Sequence, residues 1–484
     1  MKLSQLLKPW FKPENSDCVI ENLQNDSRKV QAGDLFIAYP GAAADGRLYI
    51  DKAVAAGAVA IAYEPNSFST SVVLSSKVPC VPVPDLAEQL GVIAKTFFDS
   101  PSADLNLIGV TGTNGKTTIA YQLAQAHQLL GQKSAYIGTI GQGDVNDLQA
   151  LDNTTPDALC LQRLMNYYRA EGVKQVCMEV SSHALSQHRV DALHFSQAVF
   201  TNLTLDHLDY HKSMYEYAAA KALLFARPEL EFAIINQDDS YQKTMSEVLR
   251  SKVKKITYGL HADCDVKAVR WHMDINGTEI DIHSPWGQHQ LKIKALGKFN
   301  LYNCLAIYTS LLASGYEASQ VTEIIAQLKS APGRMEVVAQ EPYILVDYAH
   351  TPDALENVLL TLNQLKKGRL WVIFGCGGDR DKSKRPVMGK VASLYSDNIV
   401  ITSDNPRTED PALIVDEIAT GVDSSFAVTK LINREEAIAH AINLAEKEDI
   451  ILIAGKGHEA YQQIGSVKHS FSDQEIVKKL LFAL

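Results

Sequence analysis

The chain has 484 residues, of which 46% are hydrophobic and 21% charged, and its formal net charge is −10 at pH 7. This length excludes a single core and predicts about two to four domains. Because the chain is acidic and has no dense Lys/Arg run, we do not expect nucleic acid or an anionic membrane to be its main partner.

The N-terminal sequence Met1–Trp10 lacks the apolar core and cleavage site of a signal peptide. No apolar run approaches the roughly 18 residues that a membrane-spanning helix needs. The seven cysteines are scattered singly, a pattern typical of reduced thiols. These features predict a cytoplasmic protein that is not inserted in a membrane.

Strand-like apolar runs alternate with Ala-rich helical stretches over the first 86 residues. The runs are Leu35–Tyr39, Val59–Tyr63 and Pro79–Val83. The Pro-rich sequence at 82–84 is a natural boundary. Residues 1–86 are therefore predicted to form a small α/β domain, and the helix Leu86–Phe98 to lead into the next domain.

A Gly-rich loop follows the apolar run Leu105–Val110 and precedes an amphipathic helix. This order is typical of a nucleoside triphosphate site, because backbone N–H groups at a helix start bind phosphates and glycines allow close approach. Lys116 is predicted to reach the β- and γ-phosphates and Thr117 to hold Mg²⁺, although Val110 stands where the common pattern has its first glycine. The residues expected to contact ATP here are Gly112, Thr113, Asn114, Gly115, Lys116, Thr117 and Thr118.

Strands and helices continue to alternate as far as about Pro332, which predicts a central parallel-sheet domain over residues 87–332. Residues 256–295 have the alternating pattern of a small antiparallel addition. The predicted parallel strands are Leu105–Val110, Ser134–Gly138, Gln175–Val180, Ala198–Thr201 and Phe232–Asn236.

Polar clusters after these strands should lie near the phosphate loop. Glu179 is predicted to bind Mg²⁺ directly or through water; the alternative is a carboxylate paired with a nearby lysine. His207 is predicted to bind a second metal ion, and the alternative is a hydrogen bond to the loop backbone. The absence of a Cys pair and of a Gly-x-Ser-x-Gly turn disfavours a zinc site and a serine hydrolase.

The last segment, 333–484, is predicted to be a Rossmann-like α/β domain with a second site. Its apolar runs are Tyr343–Val346, Leu370–Phe374, Asn398–Thr402 and Ile450–Ala454. Ligands of open parallel sheets bind outside the carboxyl ends of the strands. The polar loops that follow these runs are Asp347–His350, Gly375–Arg380, Asp404–Arg407 and Gly455–Glu459.

An ATP site combined with a second site-forming domain and an extra N-terminal domain fits an ATP-driven condensation, in which Mg²⁺ and cations offset the charge of the moving phosphoryl group. A P-loop switch or motor is the alternative. It predicts ATP hydrolysis that does not depend on a substrate, and it leaves the four C-terminal loops unexplained.

In their order along the chain, these motifs resemble the Mur ligase family, the ATP-dependent ligases that build the peptidoglycan stem peptide. The resemblance covers essentially the whole chain. It implies Mg²⁺ and ATP, and a monomer that works in cytoplasmic peptidoglycan precursor synthesis. The motifs are Thr111–Thr118, Glu179–His183, Asp206–His211, Lys221, Gly333–Glu336, Asp347–Pro352 and Asp404–Arg407.

The resemblance also implies where the precursor UDP-N-acetylmuramoyl-L-alanyl-D-glutamate binds. Ser27 matches the family's uridine-site serine, whereas Asn25 and the Ala42–Ala44 loop differ from the usual residues there. The implied precursor contacts are Asn25, Ser27, Ala42, Ala43, Ala44, Asn153, Thr154, Thr155, Ser181, Gln187 and Arg189.

Lys221 matches the family's lysine that reacts with CO₂ to give an N-carboxylysine able to bind a metal ion. The resemblance therefore makes Lys116, Glu179, His207 and Lys221 the catalytic set, and Thr117, Glu179, His207 and carboxylated Lys221 the metal ligands. From the residue pattern alone, Lys221 is expected to be an ordinary surface lysine on a helix.

The family's ATP-site residues match Asn300 in the predicted central domain, and Arg334 and Asp347 in the third domain. The implied pocket for the incoming amino acid consists of Arg380, Asp404, Asn405, Pro406, Arg407, Gly455 and Glu459. Arginine binds a carboxylate with two hydrogen bonds, and lysine-adding relatives usually lack an arginine at position 407, so Arg407 favours diaminopimelate, which has a second α-carboxylate. The alternative is that Arg407 only braces its loop.

The expected function is therefore the ATP-dependent addition of meso-diaminopimelate to UDP-N-acetylmuramoyl-L-alanyl-D-glutamate through an acyl phosphate. Within the ligases, lysine addition and folylpolyglutamate-type synthesis are the alternatives.

Overall fold

The computed structural model of the chain describes residues 1–12, 17–41, 44–68, 76–261 and 263–482. The chain divides into two compact units, Met1–Ile256 and Thr257–Leu484. Every helix within the described ranges is too short or too polar to span a bilayer. The predicted fold class, α/β with parallel sheets, is confirmed.

The first sheet of the first unit contains four parallel strands. In chain order, which is also their order across the sheet, they are Asn22–Gln24, Asp34–Ala38, Ala60–Tyr63 and Cys80–Pro82. The helical segments beside them are Leu3–Leu6, Gly46–Tyr49 and Ile50–Ala55. The three predicted strands lie within one residue of the observed ones. Asp34–Ala38 and Ala60–Tyr63 are apolar runs buried on both faces, whereas the edge strand Cys80–Pro82 is only partly buried.

The second sheet of this unit has five parallel strands and an antiparallel hairpin at one edge. Its strands, in order across the sheet, are Phe232–Asn236, Phe195–Phe200, Asn106–Thr111, Gln175–Glu179, Ser134–Gly138, Gly141–Asp144 and Asp147–Gln149. Its helices are Leu86–Phe97, Pro101–Asp104 (a 3₁₀ turn), Lys116–Leu129, Ala158–Ala170, Ser182–Ser186, Leu208–His211, Met214–Ala222 and Gln242–Glu247. All five predicted strands are present.

Strand order decides which residues of this sheet meet. The strand Asn106–Thr111 lies between Phe195–Phe200 and Gln175–Glu179, and Ser134–Gly138 is the next parallel strand. Because the carboxyl ends of parallel strands share one edge, the phosphate loop, Glu179, Thr139 and Thr201 are brought together. The polar clusters predicted to converge on the phosphate loop therefore do so.

The strand Lys254–Gly259 crosses the division between the units. The second unit then begins with the antiparallel strands Val266–Asp274, Gly277–Ser284 and Gly287–Ile293. This confirms the antiparallel segment predicted at 256–295. The helices Lys298–Ala313 and Ala318–Ile325 follow it.

The C-terminal sheet has six strands, of which one edge strand, Glu336–Gln340, is antiparallel to its neighbour. The others, in order across the sheet, are Tyr343–Asp347, Ile450–Ala454, Leu370–Phe374, Asn398–Ile401 and Val428–Lys430. Helices cover both faces: Pro352–Leu365, Lys384–Tyr395, Pro411–Ala419, Arg434–Leu444 and Asp473–Phe482. A separate hairpin is formed by Tyr461–Ile464 and Val467–Ser470.

The four apolar runs predicted in this segment are the four adjacent inner strands of the sheet. Their polar loops therefore leave the same edge, as predicted. The edge strands Glu336–Gln340 and Val428–Lys430 were not predicted, because both are short and only partly buried.

Candidate active site

The phosphate loop, Gly112–Gly115, leads directly into the helix Lys116–Leu129. Gly115 begins that helix with a φ of +87°, a conformation that glycine adopts without strain. A side chain at Gly112 would lie 1.8 Å from Thr201 Oγ1. The two glycines thus allow the close packing and tight turn that aim the helix N-terminus at an anion.

Thr201 and Asn202, which follow the neighbouring strand Phe195–Phe200, hold this loop by hydrogen bonds. Asn202 accepts from the Thr113 N–H through its backbone oxygen at 2.8 Å and from the Asn114 N–H through its side-chain oxygen at 2.9 Å. The Thr201 hydroxyl donates to the Asn114 carbonyl at 2.6 Å. The loop therefore has its shape before any phosphate is bound.

Two lysines share one carbonyl in this loop. Lys116 Nζ donates to Gly112 O at 2.9 Å and to Thr113 O at 2.8 Å, and Lys221 Nζ donates to the same Gly112 O at 2.8 Å. Lys221 is only 1% exposed, and its Nζ lies 4.6 Å from the centre of the Tyr217 ring. The expectation of a surface lysine is therefore wrong, because the helix that carries Lys221 packs this side chain against the loop.

Burial lowers the pKa of Lys221 well below its ordinary value, and the positive charge of Lys116 lowers it further. Both effects penalise the ammonium form. Lys221 is therefore biased towards the neutral amine, which is the nucleophilic form of a lysine.

Glu179 is fully buried at the end of its strand. Its Oε2 accepts hydrogen bonds from the Thr117 hydroxyl at 3.0 Å and the Thr139 hydroxyl at 3.2 Å, and its Oε1 accepts from the Tyr136 hydroxyl at 2.5 Å and the Thr139 N–H at 2.9 Å. Hydroxyls and an amide, rather than a lysine, thus hold this carboxylate. Because the Thr117 hydroxyl gives its proton to Glu179, its oxygen lone pairs can face a cation.

Three histidines cluster beside the loop. The ring centre of His183 lies 5.0 Å from that of His207 and 5.5 Å from that of His211. Desolvation, then repulsion by the other two rings, lowers the pKa of His183 to about 4, and desolvation also lowers the pKa of His207 and His211. The rings are therefore neutral near pH 7, and neutral imidazole can accept a metal ion.

His207 begins the short helix Leu208–His211 with a φ of +53°. Its Nε2 lies 3.4 Å from Asp206 Oδ2, so its side chain faces a carboxylate rather than the loop backbone. Within the described residues, no three His, Cys, Asp or Glu side chains form a metal site by themselves.

The implied precursor residues of the central domain form a hydrogen-bonded chain next to Glu179. Thr155 Oγ1 donates to Glu179 O at 2.9 Å and accepts from the Ser181 N–H at 3.1 Å. Arg189 donates to Thr155 O at 2.9 Å and to Gln187 Oε1 at 2.5 Å. These four predicted residues therefore lie together.

The remaining central residues lie at the border of this group. The Thr154 hydroxyl is 3.1 Å from the Thr139 hydroxyl. Asn153 is exposed, and Thr118 is half-buried in the first turn of its helix.

Among the residues implied for the first domain, Asn25 contacts the segment that follows Thr155. Its Nδ2 donates to Asp157 Oδ1 at 3.4 Å. Ser27 lies in the turn after the first strand, and Ala44 is exposed with its carbonyl accepting from the Gly41 N–H. Ala42 and Ala43 lie outside the described residues.

In the second unit, Asp347 ends its strand and is held by two backbone donors, Met335 N–H and Ala349 N–H, each at 2.7 Å. Desolvation raises the pKa of Asp347, and the nearby Arg334 guanidinium opposes that shift. The same guanidinium lies 4.3 Å from the centre of the Tyr348 ring. The structure thus brings together two of the predicted ATP residues of this unit.

Asn300 is buried within its own helix. Its Nδ2 donates to Leu296 O at 2.7 Å and its Oδ1 accepts from Asn303 at 2.9 Å. Gly333, just before Arg334, has a φ of +66°, and a side chain there would lie 2.1 Å from the backbone nitrogen of His458.

The predicted amino-acid pocket is built from two interlocked loops and a third beside them. Gly378 N–H donates to Asn405 O at 2.9 Å, and a side chain at Gly378 would lie 1.9 Å from Pro406 O. Arg407 Nη1 donates to Gly378 O at 2.6 Å. Arg407 thus braces the Gly375–Arg380 loop with one guanidinium nitrogen.

The side chains of Arg380 and Arg407 both lie beside Gly377. A side chain at Gly377 would lie 2.9 Å from Arg407 Nη1 and 3.8 Å from Arg380 Cγ. Asp404, Asn405, Gly455 and Glu459 converge nearby: Asn405 Nδ2 donates to Glu459 Oε2 at 2.8 Å, and a side chain at Gly455 would lie 2.5 Å from Asp404 Oδ2. The loops that carry the seven predicted pocket residues are therefore in contact with one another.

Sequence reasoning assigned no role to several residues that support these sites. Tyr136 and Thr139 hold Glu179, Tyr348 packs on Arg334, and Lys456 lies inside the amino-acid pocket. Thr139, Tyr348 and Lys456 follow strands of the site-forming edges, and that position was the available signal, whereas Tyr136 lies within its strand and had none.

Comparison with known proteins identifies the family. Residues 19–98 match the model described as the Mur ligase family catalytic domain, residues 110–311 match the Mur ligase middle domain, and residues 333–457 match the Mur ligase glutamate ligase domain. The chain belongs to the Mur ligase family. Mur ligases are ATP-dependent ligases, and this chain is therefore an ATP-dependent ligase.

Two relatives of this Mur ligase are similar over nearly their whole length. The UDP-N-acetylmuramoyl-L-alanyl-D-glutamate–2,6-diaminopimelate ligase of Coxiella burnetii is 43% identical over 486 residues, covering 99% of both chains. The ligase of the same name from Pseudomonas aeruginosa is 44% identical over 489 residues, covering 100% of this chain and 98% of the relative.

Solved structures show the same fold. A UDP-N-acetylmuramoyl-L-alanyl-D-glutamate–2,6-diaminopimelate ligase matches with a TM-score of 0.73 at 34% identity, covering 100% of this chain and 99% of the other. MurF from Acinetobacter baumannii matches with a TM-score of 0.67 at 19% identity, covering 99% and 98%. Folylpolyglutamate synthase from Mycobacterium tuberculosis, complexed with ADP, matches with a TM-score of 0.65 at 18% identity, covering 76% and 92%, so this likeness is one of fold.

Proposed function

We propose that this Mur ligase joins meso-diaminopimelate to UDP-N-acetylmuramoyl-L-alanyl-D-glutamate and converts ATP to ADP and inorganic phosphate. The γ-carboxylate of the D-glutamyl residue attacks the γ-phosphorus, ADP leaves, and an acyl phosphate forms. An amine of diaminopimelate attacks the acyl carbon, loses a proton, and expels inorganic phosphate to give the amide.

The observation that carries this proposal is the charge pattern of the amino-acid pocket. Arg380 and Arg407 both lie beside Gly377, while Asp404 and Glu459 supply negative charge nearby. Diaminopimelate has two carboxylates and two amines, so it complements a pocket with both charges. The relatives named as 2,6-diaminopimelate ligases, at 43% and 44% identity, support the same substrate.

On the phosphate side, the loop N–H groups and the helix N-terminus bind the phosphates. Lys116, which now donates to two loop carbonyls, is within reach of the same space and offsets the charge of the transferred phosphoryl group. Asn114 is held by Asn202 at the loop tip and keeps this backbone rigid.

The residues present fit Mg²⁺. Thr117 can offer oxygen lone pairs because its proton is directed to Glu179, and Glu179 is a buried carboxylate held by four hydrogen bonds. Mg²⁺ takes few protein ligands besides phosphate oxygens and water. When bound, it neutralises phosphate charge during transfer. His207, neutral near pH 7, would be a ligand of a second ion.

We propose that Lys221 carries a carboxylate derived from CO₂. The reaction requires a neutral amine, and burial together with Lys116 lowers the pKa of Lys221 in that direction. The amine nitrogen bonds to the carbon of CO₂ and releases one proton. The product is an anion beside the cationic Lys116, so the carboxylated side chain gains an attraction between opposite charges that the neutral amine lacks.

The test is a phosphate-release assay with purified protein, ATP, Mg²⁺ and the UDP-linked dipeptide precursor, to which diaminopimelate or lysine is added in turn. Mass spectrometry identifies the product. We expect phosphate release and an amide product with diaminopimelate. Equal use of lysine would contradict the substrate assignment, and release without either amino acid would contradict the ligase.

A matched pair of variants controls this assay. Lys116→Met should abolish phosphate release, whereas Lys133→Met, at an exposed lysine in the same unit, should leave it unchanged. This comparison separates the enzyme's own activity from a contaminating ATPase.

We further propose that the enzyme is a monomer that works in the cytoplasm.

A further inference from the structure

Lys456 is a buried cation inside the amino-acid pocket, in the middle of the Gly455–Glu459 loop. Its side chain is fully buried, whereas those of Asp404 and Glu459 are 9% and 16% exposed. Lys456 is thus the deepest charged group of this cluster. It has no role in the contacts assigned above to ATP, to the precursor or to diaminopimelate.

The contacts of Lys456 are with three elements of the pocket. Its Nζ donates to Glu459 Oε2 at 3.0 Å and to Asn405 Oδ1 at 3.2 Å, and it lies 4.0 Å from Asp404 Oδ1. The Tyr461 ring centre is 5.5 Å away. The ammonium of Lys456 therefore holds the side chains of Asn405 and Glu459 in fixed orientations.

The orientation of Asn405 depends on this lysine. Oδ1 of Asn405 accepts from Lys456 and from the Gln463 N–H at 2.8 Å, so the amide nitrogen must point the other way. That nitrogen donates to Glu459 Oε2 at 2.8 Å. Both donors to Oδ1 disfavour the flipped amide, because a flip would point the NH₂ group of Asn405 at the Lys456 ammonium and the Gln463 N–H, which are also donors.

The orientation of Glu459 follows. Its two hydrogen bonds, from Lys456 and Asn405, both fall on Oε2 in the described part of the chain. Oε1 is therefore the oxygen that can accept a hydrogen bond from a ligand. Lys456 also offsets the charge of a carboxylate pair that would otherwise repel within a partly buried site.

We propose that Lys456 is a positioning residue for the amino-acid substrate: it fixes Glu459 and Asn405 so that Glu459 Oε1 faces the ammonium group of the incoming amino acid. This inference rests on the proposed function. It predicts that loss of Lys456 weakens binding of the amino acid and leaves binding of ATP and the precursor unchanged.

The experiment compares steady-state kinetics of Lys456→Met with those of Lys468→Met. Methionine keeps the length of the side chain and removes the charge in both variants. Lys468 is exposed and lies 4.2 Å from the centre of the same Tyr461 ring, so it is a matched control. Lys456→Met should raise KM for diaminopimelate about 10- to 100-fold, and it should leave KM for ATP and for the precursor within about twofold of wild type. Lys468→Met should change none of them.

A double-mutant cycle separates positioning from a general structural role. Glu459→Gln removes the charge that Lys456 holds, so adding Lys456→Met to Glu459→Gln should raise KM for diaminopimelate by no more than about threefold. The double variant also removes the unpaired buried carboxylate, so it remains measurable if Lys456→Met alone does not fold.

The inference would be overturned if the two substitutions raised KM for diaminopimelate by the product of their separate effects. It would also be overturned if Lys456→Met raised KM for ATP as much as KM for diaminopimelate. A wild-type enzyme that makes no amide with diaminopimelate would instead refute the proposed function. A wild-type enzyme that does so, with a Lys456→Met variant of unchanged KM, would refute only the role of Lys456.

Discussion

Replacing Tyr136 with phenylalanine removes one hydroxyl and leaves the ring in place. That hydroxyl donates to Glu179 Oε1 at 2.5 Å, and both side chains are fully buried. A hydrogen bond to a charged group contributes about 1.5–3 kcal/mol to stability. Because Glu179 keeps its bonds from Thr117 and Thr139, the protein should fold, with its free energy of unfolding lowered by about that amount.

A second effect should appear in the metal requirement. Residues that orient a metal-binding group change metal affinity or activity by about 10- to 100-fold. Tyr136→Phe should therefore raise the Mg²⁺ concentration for half-maximal activity by about 10-fold, while the KM for diaminopimelate stays near that of wild type. Urea unfolding and a Mg²⁺ titration of phosphate release measure the two effects.

Tyr168→Phe is the matched control for Tyr136→Phe. Tyr168 is also buried, and its hydroxyl donates to Gln142 Oε1 at 2.5 Å. Because this acceptor is neutral, Tyr168→Phe should lower the free energy of unfolding by about 0.5–1.5 kcal/mol. The Mg²⁺ concentration for half-maximal activity should stay at the wild-type value. If Tyr136→Phe behaved like Tyr168→Phe in both measurements, the role assigned to the hydroxyl in holding Glu179 would be refuted.

Three further outcomes are expected. Lys221→Arg places a permanent cation beside Lys116 and cannot take up CO₂, so activity should fall roughly 100-fold or more, and the intact mass of the variant should lack the added mass of one CO₂. Arg407→Met should raise KM for diaminopimelate about 10- to 100-fold but hardly alter weak lysine use. Burial lowers the pKa of His127 to about 4 from the usual 6.5, so the unfolded chain takes up this proton first, and His127 should lower the free energy of unfolding by about 3 kcal/mol as pH drops from 6.5 towards 4. His127→Gln should reduce the pH dependence measured by urea unfolding by that amount.

Sequence reasoning located the parallel inner strands of the three sheets because each is an apolar run buried on both faces. It missed the edge strands Asn22–Gln24, Asp147–Gln149, Glu336–Gln340 and Val428–Lys430, and also Gly141–Asp144, which lies next to an edge. Edge strands are specified by their neighbours' hydrogen bonds more than by their own hydrophobicity, so no local pattern marks them.

The same contrast applies to the site. The glycine loop and Glu179 were predictable because phosphate binding needs particular residues at fixed spacing. Tyr136 has no such spacing, and the burial of Lys221 depends on which side of its helix packs against the loop. The Tyr136 hydroxyl and the Lys221 ammonium became visible only with their tertiary contacts, Glu179 and the Gly112 carbonyl.

The close approach at Gly333 has a consequence for engineering substrate choice. Gly333 abuts the backbone of Gly457 and His458, so even a methyl group there would collide with the loop that carries Glu459. A transplanted Gly455–Glu459 loop from a ligase with another amino-acid preference would therefore fit only if its donor's residues around 333 came with it. Chimeras should exchange both segments together. They should also exchange the loops around Gly378 and Pro406, because these two loops pack against each other.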